Sequence, residues 1–267
     1  MSTIFFDAHR FFEGHGLFDS HCHFDFPEFD LQRKQLWLDC KARGITGMLI
    51  PGVEPEQWAR SYEIAVNNPG VIMAAGLHPW WVKSAQLPET DRWLNMLGRK
   101  QCVAIGECGL DAVIDTPLRV QQVVFERHLV MALECELPLI IHVRQTHNET
   151  IRLLKRYNPP KGGVIHGFTG SQAMAMEYWR MGFYLGVGGS ITYPRAQKTR
   201  ASIKAMPLES LVLETDAPDM PLYGHQGKVN SPLRLLDVAE ALAELRNANV
   251  DDIASATTKN SANLFEC

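Results

Sequence analysis

Several features are missing from this chain, and each absence narrows what it can be. No apolar run approaches the length that spans a bilayer, so no segment reads as a membrane helix. The six cysteines, at positions 22, 40, 102, 108, 135 and 267, form no close Cys-x-x-Cys pair and lack the spacing of a disulfide-stapled small domain. They read as reduced thiols of a cytosolic protein. Positive charge is not in excess: 26 Lys and Arg against 30 Asp and Glu leave a net charge of −4. That balance argues against sequence-independent nucleic-acid binding through a broad basic surface, while leaving room for a few local cationic groups. Low-complexity tracts are absent, and acidic and basic residues interrupt the apolar start, Met1–Phe12, which therefore fails as a signal peptide. The expected location is the cytoplasm.

What is present is an ordinary globular composition, 46% hydrophobic in 267 residues, arranged as a strict alternation. Residues 1–15 form an N-terminal extension without a firm pattern, in which Phe5, Phe6, Phe11 and Phe12 are expected to cover one end of the core. Short apolar runs follow at Gly16–Phe18, Ile45–Val53, Val71–Leu77, Cys102–Ile105, Pro138–Val143, Gly163–Ile165, Phe183–Val187 and Leu211–Leu213. Each reads as a strand buried on both faces. Helical patterns separate them: Leu31–Ala42, Pro55–Asn67, about 88–98, Leu118–Glu136, a helix opened by a Thr146/Glu149 capping box, Ser171–Met181 and about 195–205. Two more, about 231–246 and 250–264, close the chain. Eight βα units imply a parallel sheet. The first strand lacks a Gly-x-Gly-x-x-Gly turn, which weakens a dinucleotide-binding fold. The expectation is an α/β protein, one (β/α)8 TIM barrel over residues 16–267.

The unusual polar residues fall at strand ends. His21 and His23, two apart after the first strand, would point to one side of an extended chain and make half of a divalent-metal site; alone, the pair fits an exposed polar turn equally well. His78 follows the third strand, Glu107 the fourth, His142 the fifth, His166 the sixth and Asp216 the eighth. In a barrel these ends share one face, where active sites are built. Four histidines and two carboxylates exceed one tetrahedral site and suit two cations sharing a bridge. Nitrogen and oxygen ligands without thiolates favour Zn, Mn, Co or Mg. Glu107, with two oxygens to offer, is the natural bridge, and Asp216 could ligate while taking a proton from water. Cys22, between the two histidines, should face the core.

Six ordered blocks carry a resemblance: Asp19-Ser20-His21-Cys22-His23, Gly76-Leu77-His78-Pro79, Gly106-Glu107-Cys108-Gly109-Leu110-Asp111, His142-Val143-Arg144, His166-Gly167-Phe168-Thr169-Gly170 and Glu214-Thr215-Asp216-Ala217-Pro218. In them the chain resembles the TatD-related metal-dependent hydrolases (TatD DNase family, YjjV-like) of the amidohydrolase-like superfamily. The resemblance covers the chain from about residue 16 to its end. It implies His21, His23, Glu107 and Asp216 around one metal ion, and Glu107, His142 and His166 around a second. Glu107 stands where many amidohydrolases carry a carboxylated lysine. The resemblance also implies phosphoester hydrolysis by a metal-bound hydroxide, in several members a DNase activity.

On that reading Glu107 and Asp216 are the catalytic carboxylates. Arg144 would hold a non-bridging phosphate oxygen through its bidentate fork, or else simply pair with a carboxylate. His78 would donate to a phosphate oxygen or the leaving group, and Thr169, in a turn opening a helix, would either help to receive phosphate or only cap that helix. DNA or another nucleotide-type phosphoester is the expected partner; the sequence does not set the oligomeric state, and a monomer is plausible. The rival readings are hydrolysis of a carboxyl ester, lactone or amide, aminoacyl esters included, and a non-catalytic barrel that keeps metals for binding. Aromatics near the same rim, Phe24, Phe26, Trp80, Trp81, Phe168 and Tyr193, suit base stacking, although core packing and rim cover explain most of them. The sequence departs from the family pattern in residues 1–15 and at Gln145-Thr146-His147, where His147 reads as a solvent-facing histidine at a helix start.

Overall fold

A computed structural model describes residues 16–83 and 90–266. The N-terminal extension with its four phenylalanines, the start of the helix expected near 88, and Cys267 lie outside the described residues. Eight strands pair in parallel in chain order: β1 (Leu17–Asp19), β2 (Ile45–Ile50), β3 (Val71–Ala75), β4 (Cys102–Asp111), β5 (Leu139–Arg144), β6 (Gly163–Ile165), β7 (Phe183–Val187) and β8 (Leu211–Leu213). The intervening helices are α1 (Arg33–Ala42), α2 (Trp58–Asn67), α3 (Thr90–Leu97), α4 (Leu118–Cys135), α5 (His147–Tyr157), α6 (Gln172–Arg180) and α7 (Gln197–Ala205). Two more, α8 (Leu235–Arg246) and α9 (Val250–Phe265), finish the ring. This is a (β/α)8 barrel.

No ladder joins β8 to β1 among the described residues; the seam is closed locally. The Ser20 amide donates to Leu213 O (2.9 Å). The buried Asp19 carboxylate accepts from the Thr215 hydroxyl (2.6 Å) and amide (3.0 Å) and from the His21 amide (3.2 Å). Burial drives the Asp19 carboxyl up to about 8 despite those bonds.

Inside the barrel, Phe18, Leu49, Ala74, Ala104, Ile140, Val164 and Val212 form one apolar layer, with Phe265 of α9 packed against it. Side chains alternate along a strand, so the next inward position lies two residues on. There the filling becomes polar: Ile140 is followed by His142, Val164 by His166 and Val212 by Glu214. The active face thus continues the core's own periodicity. Two glycines make the crowding possible. A Cβ on Gly76 would lie 2.4 Å from the Gly106 backbone, and one on Gly186 only 2.2 Å from a Glu214 oxygen.

Several boundaries differ from expectation. Leu31 is fully exposed and lies before α1, whose buried residues are Leu36, Trp37 and Cys40. β4 runs six residues beyond Ile105, because Cys108 to Asp111 pair with Ile141 to Arg144 of β5. The helices expected from Pro55, Ser171, 195 and 231 begin later, at Trp58, Gln172, Gln197 and Leu235. Thr146 precedes α5 but makes no capping bond; its hydroxyl donates instead to Leu110 O (2.9 Å). The five described cysteines are free thiols, and Cys22 is buried. No helix among the described residues is long and apolar enough to cross a membrane.

Candidate metal centre

β1 ends at Asp19, so His21 and His23 lie on the extended segment beyond it and not on the strand itself. That segment is strung between β2 and the tail of β8. The Cys22 amide donates to Leu49 O (3.0 Å), the His23 amide to Ala217 O (2.8 Å), and the Asp216 amide to His21 O (2.9 Å). Both imidazoles therefore reach the same place, with ring centroids 5.1 Å apart. Cys22 turns away into the core, as its position between them requires.

Glu107 stands at the centre, and its two oxygens face different neighbours. Oε2 lies 3.0 Å from His21 Nε2 and 3.9 Å from His23 Nε2. Oε1 lies 3.0 Å from His142 Nδ1, 3.2 Å from His78 Nε2 and 3.7 Å from His166 Nε2. Burial alone would raise this carboxyl, but the surrounding imidazoles outweigh it and hold it well below the usual carboxylate range. Asp216 sits opposite. Its Oδ1 is 3.5 Å from His21 Nε2 and 3.4 Å from His23 Nε2, and its Oδ2 is 3.8 Å from His166 Nε2. The residue adopts φ +57°, a left-handed conformation that Asp tolerates better than most side chains. Burial opposes its ionisation, yet the charges of His166, His21 and His23 bring its carboxyl down to about 2. Asp216 is therefore ionised across the neutral range.

Three groups bring ligand atoms within 4.8 Å of one another: His21, His23 and Glu107; His21, His166 and Glu214; and His78, Glu107 and His142. His166 groups with His21, on whose ring it stacks at 3.7 Å, more closely than with His142 at 6.1 Å. Both nitrogens of His21, Nδ1 of His23 and Nδ1 of His166 are buried without a hydrogen-bond partner. Such atoms are costly unless something else binds them. Imidazole nitrogens converging on carboxylates in a buried site fit a divalent cation.

Two further acidic residues stand behind the histidines. Asp111, at the end of β4, accepts from His142 Nε2–H (3.2 Å), which leaves Nδ1 on the Glu107 side. Glu214 Oε1 lies 3.2 Å from His166 Nδ1, too poorly aligned for a hydrogen bond, and accepts from the Gly167 amide (2.5 Å). A carboxylate behind a ligating imidazole is the usual way of fixing its orientation. Both residues stand in the quoted motif blocks, and their place at the ends of β4 and β8 was the available signal.

The remaining expected residues line one cavity of about 450 Å³ with the centre: His78, Arg144 and Thr169, together with Phe26, Trp80 and Trp81. Phe24 and Phe168 are buried core residues, as rim cover and packing would have it. His78 Nδ1 accepts from the Trp80 amide (3.1 Å), so its proton is on Nε2, which points at Glu107 as a donor. Burial lowers His78 to about 4 and keeps it neutral. Arg144 is exposed and pairs with no carboxylate among the described residues. His147 is half-buried and its ring is tied down rather than free in solvent. Its Nε2–H donates to Thr169 O (2.9 Å) and its Nδ1 accepts from the Tyr178 hydroxyl (3.0 Å), so it ties α5 to the β6 loop and α6. A polar first turn concealed that tertiary contact.

The sequence profile described as TatD related DNase matches residues 18–266. The chain belongs to the TatD-related family. It is a metal-dependent hydrolase of that family. Escherichia coli YjjV, an uncharacterized metal-dependent hydrolase, is 41% identical over 247 residues, covering 91% of this chain and 95% of YjjV. An uncharacterized metal-dependent hydrolase of Haemophilus influenzae is 36% identical over 86% of this chain and 91% of its own length. The crystal structure of the YjjV TatD homolog superposes with a TM-score of 0.88 and 40% identity, over 94% of this chain and 98% of that one. The TatD-related fold thus places the convergent histidines and carboxylates at the C-terminal mouth of its barrel.

Proposed function

We propose that the chain is a divalent-metal-dependent phosphoesterase, with DNA or a nucleotide-type ester as substrate, in the manner of a deoxyribonuclease. The observation that carries this reading is the division of Glu107: one oxygen faces His21 and His23, the other His142, His78 and His166. A carboxylate so placed could serve two cations at once. Zn, Mn, Mg and Co all suit the donor set. His21, His23, Glu107 and Asp216 would hold one ion, and Glu107, His142 and His166 the other. Such ions acidify water and neutralise charge that develops on a scissile phosphate.

The chain's own groups do the rest. Asp216, ionised and facing three imidazoles, orients the attacking water and takes its proton on a carboxylate oxygen. Arg144, on the same cavity and without an internal carboxylate partner among the described residues, grips the non-bridging phosphate oxygens. His78, proton on Nε2, donates to a phosphate oxygen or the departing group. Thr169 lines the wall where the phosphate enters.

A substrate panel with metal-loaded protein, run with and without chelator, tests this directly. We expect chelator-sensitive cleavage of phosphodiesters, with Arg144→Ala losing phosphodiesterase activity while any carboxyl-ester activity persists. Equal loss on both ester classes, or turnover of carboxyl esters alone, would instead favour the carbonyl-directed hydrolase.

A further inference from the structure

Trp80 is a large aromatic side chain left exposed at this mouth. Trp58 and Trp93 behave as core tryptophans: each is 1% exposed, and their indole N–H groups donate to Gly76 O (3.0 Å) and Ala75 O (3.3 Å) beside β3. Trp80 is 54% exposed, in the short 3-10 turn Pro79–Trp81 that follows β3. It is nevertheless pinned at two points. Its amide donates to His78 Nδ1 (3.1 Å), and its indole Nε1–H donates to Asp111 Oδ2 (2.8 Å), the oxygen that also faces His142 Nε2. His78 meets the ring edge-on at 5.5 Å, and Trp81 lies nearly parallel at 6.4 Å and 19°.

The indole has one polar atom, and the site's own carboxylate already uses it. What the exposed ring can still offer a ligand is its π face, held in place before the ligand arrives, so that little rotamer entropy is lost on contact. That face borders the cavity that holds Glu107, His142 and Arg144. We infer that Trp80 is a stacking platform for a planar aromatic ring attached to the scissile ester, a nucleobase or an aryl group, and so sets the enzyme's preference among phosphoesters. The inference rests on the phosphoester reading above. Stacking is tolerant of base identity, because every base has a π face. Trp80 is then a specificity-determining residue that also steadies His142 through Asp111.

The test compares kcat/KM of the metal-loaded full chain on a thymidine dinucleotide and on the same dinucleotide with one base removed. The wild type should prefer the base-bearing substrate by roughly five- to a hundredfold, the range expected of one stacked base. Trp80→Leu should bring the preference close to one. Trp80→Phe, which keeps a π face but loses the N–H to Asp111, should retain most of the preference while lowering kcat on both substrates. An undiminished preference in Trp80→Leu overturns the inference. If neither dinucleotide is cleaved, the phosphoester reading fails, and the platform is tested by binding alone. Calorimetry should then show thymidine 5′-monophosphate binding at least fivefold tighter than 2-deoxyribose 5-phosphate, with the difference lost in Trp80→Leu. Equal binding of the two by the wild type overturns the platform as well. Thermal melting of each variant separates these effects from misfolding.

Discussion

The two sides of Glu107 are built on opposite plans. On the side of β1 and β8, both ring nitrogens of His21 and Nδ1 of His23 are buried without a hydrogen bond. On the side of β3, β5 and β6, His78 Nδ1 takes the Trp80 amide and His142 bonds both Glu107 and Asp111, and Nδ1 of His166 is without a hydrogen bond. Leaving a buried polar atom unmet costs on the order of 1–3 kcal/mol. The first side therefore gains more from a cation than the second, whose His142 must give up a contact with Glu107 in order to ligate. The difference teaches that one shared carboxylate can serve two sites of unequal hunger, and it orders the expected affinities, the β1 side first.

Breaking the shared machinery should have the largest effect. Asp216→Asn keeps the shape and removes the base, and we expect kcat to fall roughly 10²- to 10⁴-fold with the protein still folded. Steady-state rates measured beside far-UV spectra check this; a loss under tenfold would remove Asp216 from proton transfer. Next come the two orienting carboxylates, Asp111 behind His142 and Glu214 behind His166, which act on the same side. Asp111→Asn and Glu214→Gln should each weaken the looser site by roughly 10- to 100-fold in metal affinity and leave the tighter one unchanged. Competition with a chromophoric chelator reads both; a loss of affinity at the tighter binding step in either variant would erase the asymmetry.

The smallest effect concerns the support of the β3 side. His128 of α4 is fully buried, accepts from the Leu77 amide through Nε2 (2.9 Å) and gives its Nδ1 proton to Val124 O (2.8 Å). It thereby holds the turn that leads into His78 and Trp80. Burial lowers it from 6.5 to about 4. Between those values the unfolded chain binds a proton that the folded chain refuses. Its stability contribution is complete above about pH 6.5 and is lost as the pH falls towards 4, at most about 3 kcal/mol. His128→Gln, whose amide oxygen can still accept from Leu77, should flatten the acid limb of a plot of Tm against pH. Parallel curves for variant and wild type would show that His128 is not the group being titrated.

Much of this was legible in the chain. Gly163–Ile165, Phe183–Val187 and Leu211–Leu213 are strands of the same bounds that their apolar runs mark. The placing of polar residues just past such runs located Glu107, His142, His166 and Asp216 at one mouth. Contacts that join distant elements were not legible. Asp111 and Glu214 stood in recognisable blocks, but nothing local says that each sits behind a histidine 31 or 48 residues away. Thr146 and His147 stand at a helix start as local rules read it, but those rules do not show that their polar atoms are taken by Tyr178, Thr169 and Leu110. Leu31 continued a helical spacing that the chain does not use, since a turn after Phe29 intervenes.

The unequal pair is most directly tested by metal stoichiometry. Apo protein, wild type and His21→Ala/His23→Ala, is titrated with Zn²⁺ in a calorimeter, and the bound metal is then counted by elemental analysis. Two equivalents are expected for the wild type, the tighter filling first. The double variant should keep one equivalent, bound with the weaker affinity through Glu107, His142 and His166. Two equivalents retained by the double variant, or a surviving site as tight as the wild type's first, would contradict it.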